Sequence, residues 1–145
     1  MKYILLLLLL AGGIAACNQP KIGYLKTDQA EYLIDTLVVY RTLDPERNYI
    51  EENMLESGTE WWASNEISGV LGTVPIVYTI EDVKALDGGD AAAFLKEVKI
   101  IGGGRLYYPV NDIKAPNGTY LISVRVSNDD HSAVLEDAFR IIIKD

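Results

Sequence analysis

Two of the side chains best suited to chemistry occur once each in the 145 residues, Cys17 and His131. A lone thiol has no disulfide partner, and one cysteine with one histidine cannot assemble a thiolate zinc site or a His-rich metal cluster. Ser-His-Asp catalysis would have to run through His131, which follows the turn-forming run Asn128-Asp129-Asp130. A loop histidine in that setting is expected to be inert. Glu66 and Asp130 are candidate acids, but no spacing forces their carboxyls into one pocket. Gly102-Gly103-Gly104 has the composition of a phosphate cradle, yet a strand pattern follows it where such a cradle needs a helix. The residues therefore point away from an enzyme, and no metal or cofactor is expected.

One stretch could bind without reacting. In Trp61-Trp62-Ala63-Ser64-Asn65-Glu66-Ile67-Ser68-Gly69, read as one strand, neighbouring side chains fall on opposite faces. Trp61 falls with Ala63, Ile67 and Gly69. Trp62 falls with Ser64, Glu66 and Ser68. The second set is polar, so Trp62 is expected to face outward, where its ring beside Ser64 and Glu66 could stack on a sugar or a peptide aromatic. On that register Trp61 belongs to the core, and truncating Trp62 should leave stability unchanged.

Strands must position these residues. Residues 31–41 are rich in β-branched and aromatic types, with Tyr32, Ile34, Val38 and Tyr40 on one face and Leu33, Leu37 and Val39 on the other. Apolar character on both faces predicts cover from two directions. Residues 43–58 carry Asp44-Pro45 and a run of glutamates; they read as an irregular, solvated connection with one turn of helix near 50–55. Strands are predicted over 75–80, with Ile76, Tyr78 and Ile80 inward, and over 119–126, with Tyr120, Ile122, Val124 and Val126 inward. Asp90 is placed to cap a short helix over 91–97. Residues 98–108 form a hairpin across the glycines. In the last strand Phe139, Ile141 and Ile143 face the core.

The formal charge is −8. Such an acidic chain is repelled by phosphate backbones, which excludes nucleic acid, and it has no basic face for anionic headgroups.

The N-terminus explains how a membrane could still be reached. Lys2 precedes an apolar run from Ile4 to Leu10, too short to span a bilayer as a helix. Ile14-Ala15-Ala16-Cys17 then resembles the lipobox of bacterial lipoproteins. The resemblance implies a signal peptide over 1–16, acyl chains on Cys17, and a tether over 17–30 ahead of a single domain over 31–145. The Gly-x-Tyr sequence Gly118-Thr119-Tyr120 before a strong strand resembles the tyrosine corner of immunoglobulin-like sandwiches. With the order of elements over 75–144, it implies an all-β fold: an immunoglobulin-like or cadherin-like antiparallel β-sandwich with one short helix. The acidic motifs of calcium-binding cadherins are missing, so calcium is not implied.

Gly23-Tyr24-Leu25-Lys26-Thr27-Asp28 resembles small envelope lipoproteins of Bacteroidota, which often accompany glycan-uptake machinery. That likeness implies a lipid-anchored protein of the cell envelope, on the outer membrane. Asn18-Gln19-Pro20-Lys21 lacks the acidic residues found after the cysteine in surface-exported members, which favours the periplasmic face. The function expected is non-catalytic binding of an envelope protein or a glycan. The alternative is a structural lipoprotein that holds an assembly at the membrane without a soluble ligand.

Overall fold

The computed structural model describes residues 20–145. Met1–Asn18, Cys17 among them, and Gln19 lie outside the described residues. The chain runs β1 (Leu25–Lys26), β2 (Glu31–Tyr32), β3 (Thr36–Tyr40), α1 (Tyr49–Ser57), β4 (Trp61–Ala63), β5 (Ile67–Ser68), β6 (Leu71–Gly72) and β7 (Val77–Leu86). It continues through α2 (Ala91–Leu95), β8 (Lys99–Ile101), β9 (Arg105–Pro109), β10 (Gly118–Ser127) and β11 (Ser132–Lys144). The result is an all-β sandwich. One sheet has four strands in the order β3-β11-β10-β7 and the other has three in the order β4-β9-β8. Two small ribbons, β1-β6 and β2-β5, complete it.

The core follows from alternation on the two central strands. Tyr120, Ile122, Val124 and Val126 of β10 are fully buried, and Phe139, Ile141 and Ile143 of β11 lie beside them almost as deep. Burying an aliphatic or aromatic side chain of this size stabilises the fold by about 1.5–3 kcal/mol. Between the pairs Ile122 with Phe139 and Val124 with Leu135 the register shifts through a bulge in β11, and Ser123, on the face opposite the core residues of β10, is buried beside that bulge. Its hydroxyl then accepts the Asp137 backbone N–H at 3.0 Å. Asp90 caps α2 as its position predicts, accepting from the backbone N–H groups of Ala92 and Ala93 at 2.9 and 3.1 Å. Phe94 of α2 stacks on Tyr108 and Tyr120, with ring centroids 4.9 and 4.2 Å apart.

Several expectations are corrected. The sheet is not antiparallel throughout, because β3 pairs in parallel with β11. The predicted strand over 31–41 breaks at 33–35. Tyr32 donates to the Gly104 carbonyl beside the second sheet, whereas the Asp35 carbonyl accepts from Arg140 in the first. The chain crosses between sheets there, so Ile34 leaves the face of Tyr32 and is 69% exposed. The strand over 75–80 runs on to Leu86. Its charged residues do not end it, because Glu81 pairs with Arg125 of the neighbouring strand through two bonds of 2.6 Å. That hydrogen bond holds the Glu81 carboxyl below its ordinary pKa.

The described residues contain two helices rather than one. Asn48 and Glu51 form a reciprocal N-terminal cap for α1, with the Glu51 N–H on the Asn48 Oδ1 at 3.0 Å and the Asn48 Nδ2 on the Glu51 Oε1 at 2.7 Å. Gly58 ends the helix with φ 64°. Glu51 is not solvated but fully buried, its second oxygen taken by the Asp44 N–H and by Arg47. Part of the expected tether is also docked. The Ile22 N–H meets the Asp130 Oδ2 at 2.9 Å, and the Asn128 Nδ2 bonds the carbonyls of Tyr24 and Thr73 at 2.9 and 3.1 Å.

Tyr120 has the corner geometry. Its hydroxyl donates to the Pro116 carbonyl at 2.7 Å and accepts from the Asp90 N–H at 3.2 Å. Tyr120→Ala is therefore expected to lose about 3 kcal/mol or more, and Tyr120→Phe about 1 kcal/mol. Urea denaturation of both variants checks this; equal small losses would take Tyr120 out of the core.

Candidate functional site

A cleft of about 600 Å³ lies between the edge strands of the two sheets, β3 and β4, with α1 at its border. Leu37 and Val38 of β3, Ile50 and Met54 of α1, and Trp61 and Trp62 of β4 are among its lining. Ile34 and Ile50, also in the lining, stand 69% and 61% exposed. Exposed aliphatics beside a concave aromatic surface are the usual character of a binding site rather than of a solvated face.

The tryptophans have exchanged the roles expected of them. Trp62 is only 5% exposed and Ser64 8%, while Trp61 is partly exposed and carries the Lys99 ammonium 4.3 Å from its ring centroid. The reason is a break in the strand after Ala63. The Ser64 hydroxyl accepts the Leu106 N–H at 2.9 Å and donates to the Asn65 carbonyl at 2.7 Å, pulling the chain out of its pleat. The chain rejoins a strand at Ile67, so Trp62, Ser64 and Ile67 all point inward. A single alternating phase cannot describe both sides of that break.

The three residues proposed from sequence are thus only partly brought together. Trp62 and Ser64 line the cleft from its buried side. Glu66 does not. It is exposed beside the Gly103 turn, with its carboxylate 3.7 Å from the Arg105 guanidinium. Burial, and after it the Glu66 charge, raise the Tyr78 hydroxyl above its ordinary pKa. Asp130 and His131 serve the docked N-terminal segment instead, with His131 Nε2 3.1 Å from the Gly23 carbonyl. Ile34, Tyr40, Ile50 and Met54 were not singled out from sequence. The two-sided apolar pattern of 31–41 was the signal for the first two. The cap pair Asn48 and Glu51 was the signal for the helix that carries the others.

The backbone of the cleft walls is as informative as the side chains. Trp62 lies opposite Tyr108, and the flanking bonds from Ser64 to Leu106 and from Val110 to Glu60 fix the ladder phase. Trp62 is then a hydrogen-bonded pair with β9, and the N–H and C=O groups of Trp61 and Ala63 point away from it. The indole Nε1 of Trp62 is buried without an acceptor among the described residues. Compared with known protein families, curated proteins and solved structures, the chain matches none.

The inverted burial makes a direct prediction. Trp62→Ala should destabilise the domain by about 3–5 kcal/mol. Trp61→Ala should cost well under half as much, because its ring is already partly in water. Paired denaturation curves decide it; the reverse order would restore the phase read from sequence.

Proposed function

We propose that the protein is a membrane-anchored, non-catalytic lipoprotein of the cell envelope, held through Cys17, whose β-sandwich binds a partner protein or a glycan. The immunoglobulin-like character of the sandwich belongs to the same reading. The observation that carries it is the cleft between β3 and β4, with its exposed Ile34 and Ile50 and its two tryptophans. Aliphatic and aromatic side chains together make up most of that lining, which suits an apolar polypeptide segment better than a sugar. Tethering through acyl chains lets an acidic domain work at a membrane without a basic face. No helix among the described residues is long and apolar enough to cross a membrane. A structural lipoprotein without a soluble ligand is the second reading, supported by the same anchor sequence.

Cys17→Ser should move the protein from the membrane fraction to the soluble one. The released protein, laid over arrays of envelope glycans and of peptides, should bind on one of them and lose that signal with Ile50→Asp, which alters an exposed cleft residue. Retention in the membrane would overturn the anchor. Binding indifferent to Ile50→Asp would overturn the cleft, and silence on both arrays would favour the structural reading.

A further inference from the structure

We propose that the cleft takes its ligand as an added β-strand: an extended, β-branched segment of a partner polypeptide with basic flanks, paired in the plane of the sheet along the free edge of β4. This rests on the cleft being the binding site and specifies what enters it.

The sandwich is unequal, with four strands facing three. The extra strand is β3, and the cleft lies where a fourth strand beside β4 would cover it. Leu37 and Val38 of β3 line that space and are only partly buried. Val39, on the same core-side face as Leu37, is fully buried, so β3 is seated toward its end and left uncovered toward its start, where Leu37 lines the cleft.

The edge of β4 is prepared for pairing. Trp61 and Ala63 offer both their N–H and C=O groups outward, spaced as an antiparallel or parallel neighbour would need them. No described hydrogen bond uses those four groups. Ala63 is exposed and Trp61 partly so, which leaves the edge accessible. Alternate side chains of an added strand would then fall toward the apolar lining and toward solvent, so main-chain bonds give affinity and the inward side chains give selectivity.

Charge chooses the flanks. The formal charge is −8, and α1 on the cleft border carries the exposed Glu52 and Glu56 with no basic residue in its last turn. Basic residues at the ends of the incoming segment would be drawn in and held in register. A membrane-held domain with such an edge would capture unfolded or extended segments rather than folded surfaces.

The probe is a synthetic peptide of alternating valine and threonine with lysines at both ends, together with a counterpart N-methylated at alternate residues. Tryptophan fluorescence and amide exchange of the Cys17→Ser protein are read on titration. Because the Ala63 N–H points away from β9, Ala63→Pro removes a free donor without removing a ladder bond. The plain peptide should protect the Trp61 and Ala63 amides. Its affinity should fall about tenfold or more on Ala63→Pro, and the N-methylated peptide should fail on the unaltered protein to a similar degree. Equal binding of both peptides, lost with Ile50→Asp, would overturn strand pairing while keeping the cleft. No binding of either, or binding indifferent to Ile50→Asp, would overturn the pairing and the cleft together.

Discussion

The constraint on which the rest of the structure depends is the apolar face of β10 and β11. Seven large side chains from these two strands are all but fully removed from water, and together they dominate the free energy of folding. Every other element is placed by the need to cover that face. The three-stranded sheet covers its middle, with Leu106 and Tyr108 of β9 fully buried against it. Phe94 of α2 closes one flank by stacking between Tyr108 and Tyr120. Tyr32 closes another, edge-on to Phe139 with centroids 4.7 Å apart. What remains uncovered is the β3 side, and there the cleft forms.

The cleft would collapse or flood if α1 were free to move, and a buried carboxylate prevents this. Glu51 is without solvent contact, and both its oxygens are occupied by Asn48, Asp44 and Arg47. Arg47 in turn lies over the Tyr40 ring, 3.7 Å from its centroid. Removing a single partner of such a group leaves a charge without compensation, at a cost of several kcal/mol. The helix is therefore locked to the end of β3 through Tyr40, and its apolar residues Ile50 and Met54 keep their place at the cleft. The opening of the cleft is a property of the fold rather than of a loose loop.

How much of this could be read from the sequence depends on the range of the interaction. Local signals were dependable. The alternation of 119–126, the glycine hairpin, the Asp90 cap and the inward set Phe139, Ile141 and Ile143 all rest on contacts that neighbours in the chain dictate. The tyrosine corner at Tyr120 belongs with them, since its partner Pro116 is four residues away. The failures are of another kind. That Trp62 and Ile67 both face inward depends on the ladder ending at Ser64, whose hydroxyl takes the Leu106 N–H across forty-two residues. The role of Ile34 depends on a crossing between sheets. The cap Asn48-x-x-Glu51 was present in the sequence but hidden among other glutamates. The cleft itself could not be read at all, because it arises from the number of strands in each sheet.

The central claim is that the edge of β4 stands open in the free domain, beside a space that fits a strand. Amide hydrogen exchange of the unliganded protein tests it at single residues. The account predicts that the Trp62 amide, bonded to β9, is strongly protected, while its neighbours Trp61 and Ala63 exchange near the rate of an unprotected chain. Equal strong protection of all three would mean that the edge is already covered, and would contradict the account.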